Sequence, residues 1–89
     1  MFKILKKEKL APAIYLMDIY SPRVAESAQP GQFVIVRVDE RGERIPLTIA
    51  DYNVQTGAVT IVIQTIGAST SKLCDLKEGD SVLDFVGPL

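Results

Sequence analysis

Two segments of the chain carry groups that suit a phosphorylated ligand. Arg44, Ile45, Pro46, Leu47 and Thr48 open a strand-like run, and Gly67, Ala68, Ser69, Thr70 and Ser71 lie between a strand-like run and a short helix-like one. A glycine followed by hydroxyl residues at a helix start aims several backbone N–H groups the same way, which suits an anion. An upstream strand ending in a hydroxyl residue suits the rest of a large, flat, phosphorylated molecule. Gln64, between Ile63 and Thr65, adds a hydrogen-bonding amide that reads equally well as a plain surface residue. Plainer readings exist for each. Arg44 can be an exposed strand-end charge, Thr48 a β-branched strand residue, and the Gly67 segment a strand-to-helix turn with a serine cap.

Other chemistries lack their residues. The chain has no histidine, so the commonest general base and metal ligand is absent. A Ser-His-Asp or Cys-His enzyme is thereby excluded. The single cysteine, Cys74, excludes an internal disulfide and a cysteine-ligated metal site within this chain. It reads as a small buried hydrophobe. Asp18, Asp51, Asp75 and Asp80 form no pair at catalytic spacing, and Tyr15, Tyr20 and Tyr52 read as core or barrel-rim residues.

The elements that must hold these groups are short strands. Turn signals recur at Ala11-Pro12, Ser21-Pro22, Pro30-Gly31, Arg41-Gly42, Thr56-Gly57 and Glu78-Gly79. Between them lie runs rich in Val, Ile, Tyr and Thr, a pattern of all-β sandwiches and barrels. Strands are expected over Ile14–Tyr20, Gln32–Asp39, Arg44–Tyr52, Ala58–Ile66 and Ser81–Val86. Phe33, Ile35 and Arg37 alternate with Val34, Val36 and Val38 across one of them. Only Ser69–Leu76 looks helical, with Leu73 and Leu76 on one face and Lys77 suited to the helix end. The expected fold is a six-stranded antiparallel Greek-key barrel with one short helix.

Bulk properties narrow the partners. Eighty-nine residues make one domain with a modest core. The ten Lys and Arg are scattered and the net charge is −1, which argues against nucleic acid as the main partner. Lys6, Lys7 and Lys9 are interrupted by Glu8 and read as a solvated strand face. No apolar run is long enough to span a membrane, and Met1–Lys7 is too short in apolar residues for a signal peptide. The default expectation is a cytoplasmic location.

The two segments, in this order, resemble the FAD-binding barrel of the ferredoxin–NADP reductase superfamily. The nearer likeness is to its electron-transfer branch: the small subunits of dihydroorotate dehydrogenase, sulfide dehydrogenase and NADH-dependent ferredoxin:NADP oxidoreductase. Pro30, Gly31, Gln32 and Phe33, then Leu76, Lys77, Glu78, Gly79 and Asp80, then Gly87, Pro88 and Leu89 fit the same branch. The resemblance implies that residues 1–89 are an FAD-binding domain, a fragment whose NAD(P)H-binding domain lies beyond Leu89. It implies an iron–sulfur or ferredoxin-like partner and no nicotinamide chemistry by the barrel alone.

The family's first motif is Arg-x-Tyr-Ser/Thr, with arginine on the FAD diphosphate, the aromatic on the flavin ring and the hydroxyl near flavin N5. With Thr48 as the hydroxyl residue, Leu47 stands at the aromatic position, Pro46 at the variable one and Ile45 at the arginine. Arg44 lies one residue early, and on a strand one residue changes the face. Whether Arg44 or residue 45 meets the diphosphate stays open at this point. The second motif maps onto Gly67, Ser69 and Thr70, and the strand end Ile63, Gln64 and Thr65 would lie under the ribose and adenine. The alternative is a non-enzymatic small barrel acting as a binding or interaction module. Its oligonucleotide-binding version is disfavoured by the weak basic content and the absence of Trp.

Overall fold

The computed structural model describes residues 1–89. Seven strands and two short helices follow one another: β1 (Phe2–Ala11), β2 (Ile14–Tyr20), α1 (Pro22–Ser27), β3 (Phe33–Arg37), β4 (Ile45–Asn53), β5 (Ala58–Gln64), α2 (Ala68–Cys74), β6 (Ser81–Val82) and β7 (Asp84–Val86). All pairings are antiparallel, in the order β6-β1-β2-β5-β4-β3-β7. Strand β2 lies beside β5, while β3, β4 and β5 form a meander, so the arrangement is a Greek key.

The expected last strand is a single run broken at Leu83. Its first half pairs with β1 at one edge of the sheet, and its second half pairs with β3 at the other. At the break, the Leu83 N–H donates to the carbonyls of Arg37 and Val38, 2.9 and 3.1 Å away. One bent strand therefore closes the sheet on itself, which removes most of the open edge. The expected six strands become seven only because this strand changes partner.

The second helix is a correction to the sequence reading. Ser21-Pro22 does not simply turn the chain; it opens α1, with Pro22 in the first turn. Proline suits that position because its missing N–H would have no intrahelical partner there. Val24 and Ala25 of the helix are buried, as is Ala28 just after it.

Inward positions alternate as sheet geometry requires. Met17 and Ile19 of β2, Val34 and Val36 of β3, Ile45 and Ile49 of β4, and Val59, Ile61 and Ile63 of β5 form one core with Ile4, Leu73, Val82 and Phe85. A bulge between Ile49 and Asp51 shifts the alternation, so that Tyr52 still packs against that core. A second irregularity, between Ile4 and Lys6, brings Lys7 opposite Met17. Lys7 is therefore not on a solvated face. It is half-buried, its ammonium lies 5.0 Å from the centre of the Tyr15 ring, and it donates to the Cys74 carbonyl at the end of α2. No helix is long and apolar enough to cross a membrane.

Candidate functional site

The site is built around the first half of β4. Strand pleat separates its side chains into two sets. Ile45 points into the core and is 8% exposed, and Leu47 is half-buried against the same core. Arg44, Pro46 and Thr48 are exposed on the other face. Ile45 turns mostly to the core and only borders a recess beside α2, while Arg44 shares the outward side with Thr48.

Strand β3 supplies the neighbouring wall. Its register sets Phe33 opposite Thr48, Val34 opposite Leu47, and Ile35 opposite Pro46. The Pro30-Gly31 pair turns the chain into β3, with Gly31 at φ 89°. Only glycine adopts that conformation at little cost. The turn is closed by the Gln32 side chain, which accepts from the Gln29 N–H at 2.7 Å. The Gly87–Leu89 segment runs along the far side of β3. The Leu89 N–H donates to the Phe33 carbonyl at 2.9 Å, and the Phe33 N–H returns a 3.3 Å bond. Gly87 is required here by closeness, because a Cβ would sit 3.0 Å from Val34 Cγ1 and 3.1 Å from the Phe33 carbonyl oxygen. Gly31, Phe33, Pro46, Leu47 and Thr48 together line a shallow open recess of about 250 Å³.

A second recess, of about 150 Å³, begins at Ile45 and lies between the β3–β4 loop and α2. Arg41, Gly42, Glu43, Ala68, Ser69 and Lys72 line it. The two recesses meet β4 at successive positions. The start of α2 thus lies beside the strand that carries Thr48.

The β5–α2 turn is held by its own threonines. Thr70 Oγ1 accepts from the N–H groups of Ile66 and Gly67, at 3.0 and 3.1 Å, and donates to the Gly67 carbonyl. Thr65 donates both its N–H and its hydroxyl to the carbonyl of Ala13, whose φ of 63° is unusual for a residue with a Cβ. Thr65 and Thr70 therefore spend their polar groups on the turn. The hydroxyl of half-buried Ser69 and the amides of Ala68 and Ser69, first-turn groups without intrahelical acceptors, remain for a ligand. Gly67 itself is extended, at φ −168°, with open space where a Cβ would be. Gln64 is exposed, whereas Ile63 is fully buried and offers only its backbone.

Charge fixes the loop against the helix. Lys72 on α2 and Asp39 in the loop form a 2.7 Å ion pair. The Lys72 hydrogen bond is the main influence holding the Asp39 carboxyl below its ordinary value, with the N–H groups of Arg41 and Gly42 adding to it. Lys72 is engaged in this way, while Arg41 forms none of the ion pairs of the chain. In the sequence Arg41 figures only as part of the Arg41-Gly42 turn signal. No spacing rule could have linked it to Ser69, because only the barrel brings the two together. At the other end of α2, burial raises the pKa of the Cys74 thiol, as expected for a packing cysteine and not a reactive one.

The fold is a small Greek-key barrel with two recesses that border β4. Comparison with known proteins places that barrel. The chain is 60% identical over 89 residues to an uncharacterized protein from the adh 3′ region of Clostridium beijerinckii, covering 100% of this chain and 30% of that protein. It is 47% identical over 87 residues to a dihydroorotate dehydrogenase B (NAD(+)) electron transfer subunit homolog of Thermotoga maritima, covering 98% of this chain and 31% of that protein. A solved structure of NADH-dependent reduced ferredoxin-NADP oxidoreductase, studied for flavin-based electron bifurcation, superposes with a TM-score of 0.96 at 45% identity. That match covers 99% of this chain and 32% of the other. No family model matches. The chain spans about a third of the length of the curated relatives it matches. It belongs to the electron-transfer-subunit branch of the ferredoxin–NADP reductase superfamily.

Proposed function

We propose that the chain is the FAD-binding barrel of a flavin-dependent NAD(P)H oxidoreductase. In this reading it holds FAD while electrons pass from a nicotinamide nucleotide to an iron–sulfur or ferredoxin-like partner. The observation that carries the reading is the meeting of two recesses on β4, one beside Thr48 and one between Arg41 and Ser69. A flat, uncharged ring system and a diphosphate need two such environments side by side.

The donor set suits that group. The Ser69 hydroxyl, the Ala68 and Ser69 amides and the Arg41 guanidinium are all donors, as an anionic diphosphate requires. The first recess is different in kind: Phe33, Pro46 and Leu47 are apolar, and Thr48 supplies one hydroxyl. FAD, when bound, accepts a hydride and releases electrons singly; the protein's part is to place and tune it. Thr48 orients the ring through its hydroxyl, and the sheet behind it keeps one side of the ring from water. Gln64 is placed to meet a ribose hydroxyl, and Ile63 and Thr65 border the nucleotide through their backbone. Nicotinamide binding belongs outside these residues, which contain no glycine-rich strand-turn-helix unit. A cytoplasmic setting fits this activity.

Thr48→Val tests the reading. Valine keeps the β-branched shape and removes only the hydroxyl. FAD affinity, followed by flavin absorbance, should fall two- to tenfold, on the order of one hydrogen bond. The melting temperature of the cofactor-free chain should not change, because Thr48 is exposed. Unaltered affinity would remove Thr48 from the site.

A further inference from the structure

We infer that Phe33 is the residue that packs against the flavin ring, in the place where the related motif uses its aromatic. The inference rests on the flavin reading above and adds a residue to it. The motif position itself cannot serve. Leu47 borders the recess but is not aromatic, and it is half-buried against the core. An aromatic face is instead offered from the next strand.

Three observations converge on Phe33. It is 41% exposed at the start of β3, although its backbone lies between β4 on one side and Leu89 on the other. It stands directly opposite Thr48, and residues opposite each other in an antiparallel pair have Cβ atoms about 4.5–5.5 Å apart. It lines the same recess as Thr48, with Gly31 beside it, and no atom lies within 4 Å of where a Gly31 side chain would begin. The recess therefore has an apolar ring on one strand, a single hydroxyl on the next, and open space at its rim. That is a complement to a flat heteroaromatic ring with one polar edge. Core packing does not explain Phe33, because Val34 and Val36 already fill the inner face of β3.

Fluorescence of the bound flavin tests this directly. An indole or phenol in van der Waals contact with an excited flavin transfers an electron to it and quenches its emission, whereas a benzene ring does not. Phe33→Trp should bind FAD within about threefold of the wild type, while the emission of bound flavin falls several-fold. Phe33→Tyr carries the same readout with one added hydroxyl, in case the indole does not fit. Phe33→Leu, which keeps apolar bulk but loses the ring, should weaken FAD binding roughly three- to tenfold with an unchanged melting temperature. Undiminished emission in the Trp and Tyr variants, with FAD bound, would overturn the role of Phe33 and leave the flavin reading standing. Failure of the unmodified chain to bind FAD would overturn the flavin reading itself, and the role of Phe33 with it.

Discussion

At the scale of single residues, the face a side chain takes on β4 decides what it can do. Ile45 sits at the motif's arginine position, yet it is part of the core at 8% exposure. The alignment and the pleat disagree, and the pleat governs side-chain access. Replacing Ile45 by Arg would put a guanidinium at a core position opposite Val36, beside Val38 and on the same recess as the cations Arg41 and Lys72 and the carboxylate of Glu43. An uncompensated buried charge costs about 3–5 kcal/mol. For a domain of this size the melting temperature should fall by more than about 10 °C, and FAD affinity should not rise. Thermal melts with a parallel FAD titration check this. An intact melt with tighter binding would mean that residue 45 turns toward the ligand after all.

At the scale of elements, the start of α2 is useful only if it is held against the β3–β4 loop, and the Lys72–Asp39 pair is the visible tie. Asp39 has its folded pKa below the ordinary value of 3.8, so the pair is fully formed above that pH. Its contribution is lost as the pH falls through the lower folded value. Both side chains are about half exposed, so the effect should also weaken with salt. Amide protection in the α2 turn, with exchange rates corrected for their intrinsic pH dependence, should fall only at the acid end of a series from neutral to strongly acid pH. Asp39→Asn should show the quicker exchange at neutral pH. Equal exchange in the two proteins would show that the turn is held by its threonines alone.

The elements also show what was legible from the residues. The alternation of Val34 and Val36 with Phe33 and Ile35, the Thr56-Gly57 hairpin and the one helix near Ser69 all depend on neighbours close in sequence, and each appears where the pattern put it. Helix α1 was missed because six residues carry too little periodicity and Ser-Pro signals a turn as readily as a helix start. The break at Leu83 was missed because the partners it exchanges, β1 and β3, lie far away in sequence. In the candidate site, the two motif segments were visible as types and spacings. The inward turn of Ile45 depends on the β3–β4 register. The internal bonding of Thr65 and Thr70 depends on a turn that folds back on itself. Arg41 and Phe33 gain their places beside Ser69 and Thr48 only when the sheet closes.

At the scale of the whole molecule, the central claim is that a closed barrel leaves one coherent ligand face, shared by β3, β4 and the start of α2, and that this face takes FAD. Behind that face the core is continuous, and one bent strand pairs with β1 at one edge of the sheet and with β3 at the other. The most direct measurement is an amide chemical-shift titration of the chain with FAD. The expected result is saturable binding with the largest shifts at Phe33, Thr48, Ala68 and Ser69, smaller ones at Arg41 and Gln64, and none in α1 or the β1–β2 pair. NADPH at the same concentrations should leave the spectrum unchanged. Shifts centred on another part of the barrel, or no shifts with FAD at all, would contradict the claim.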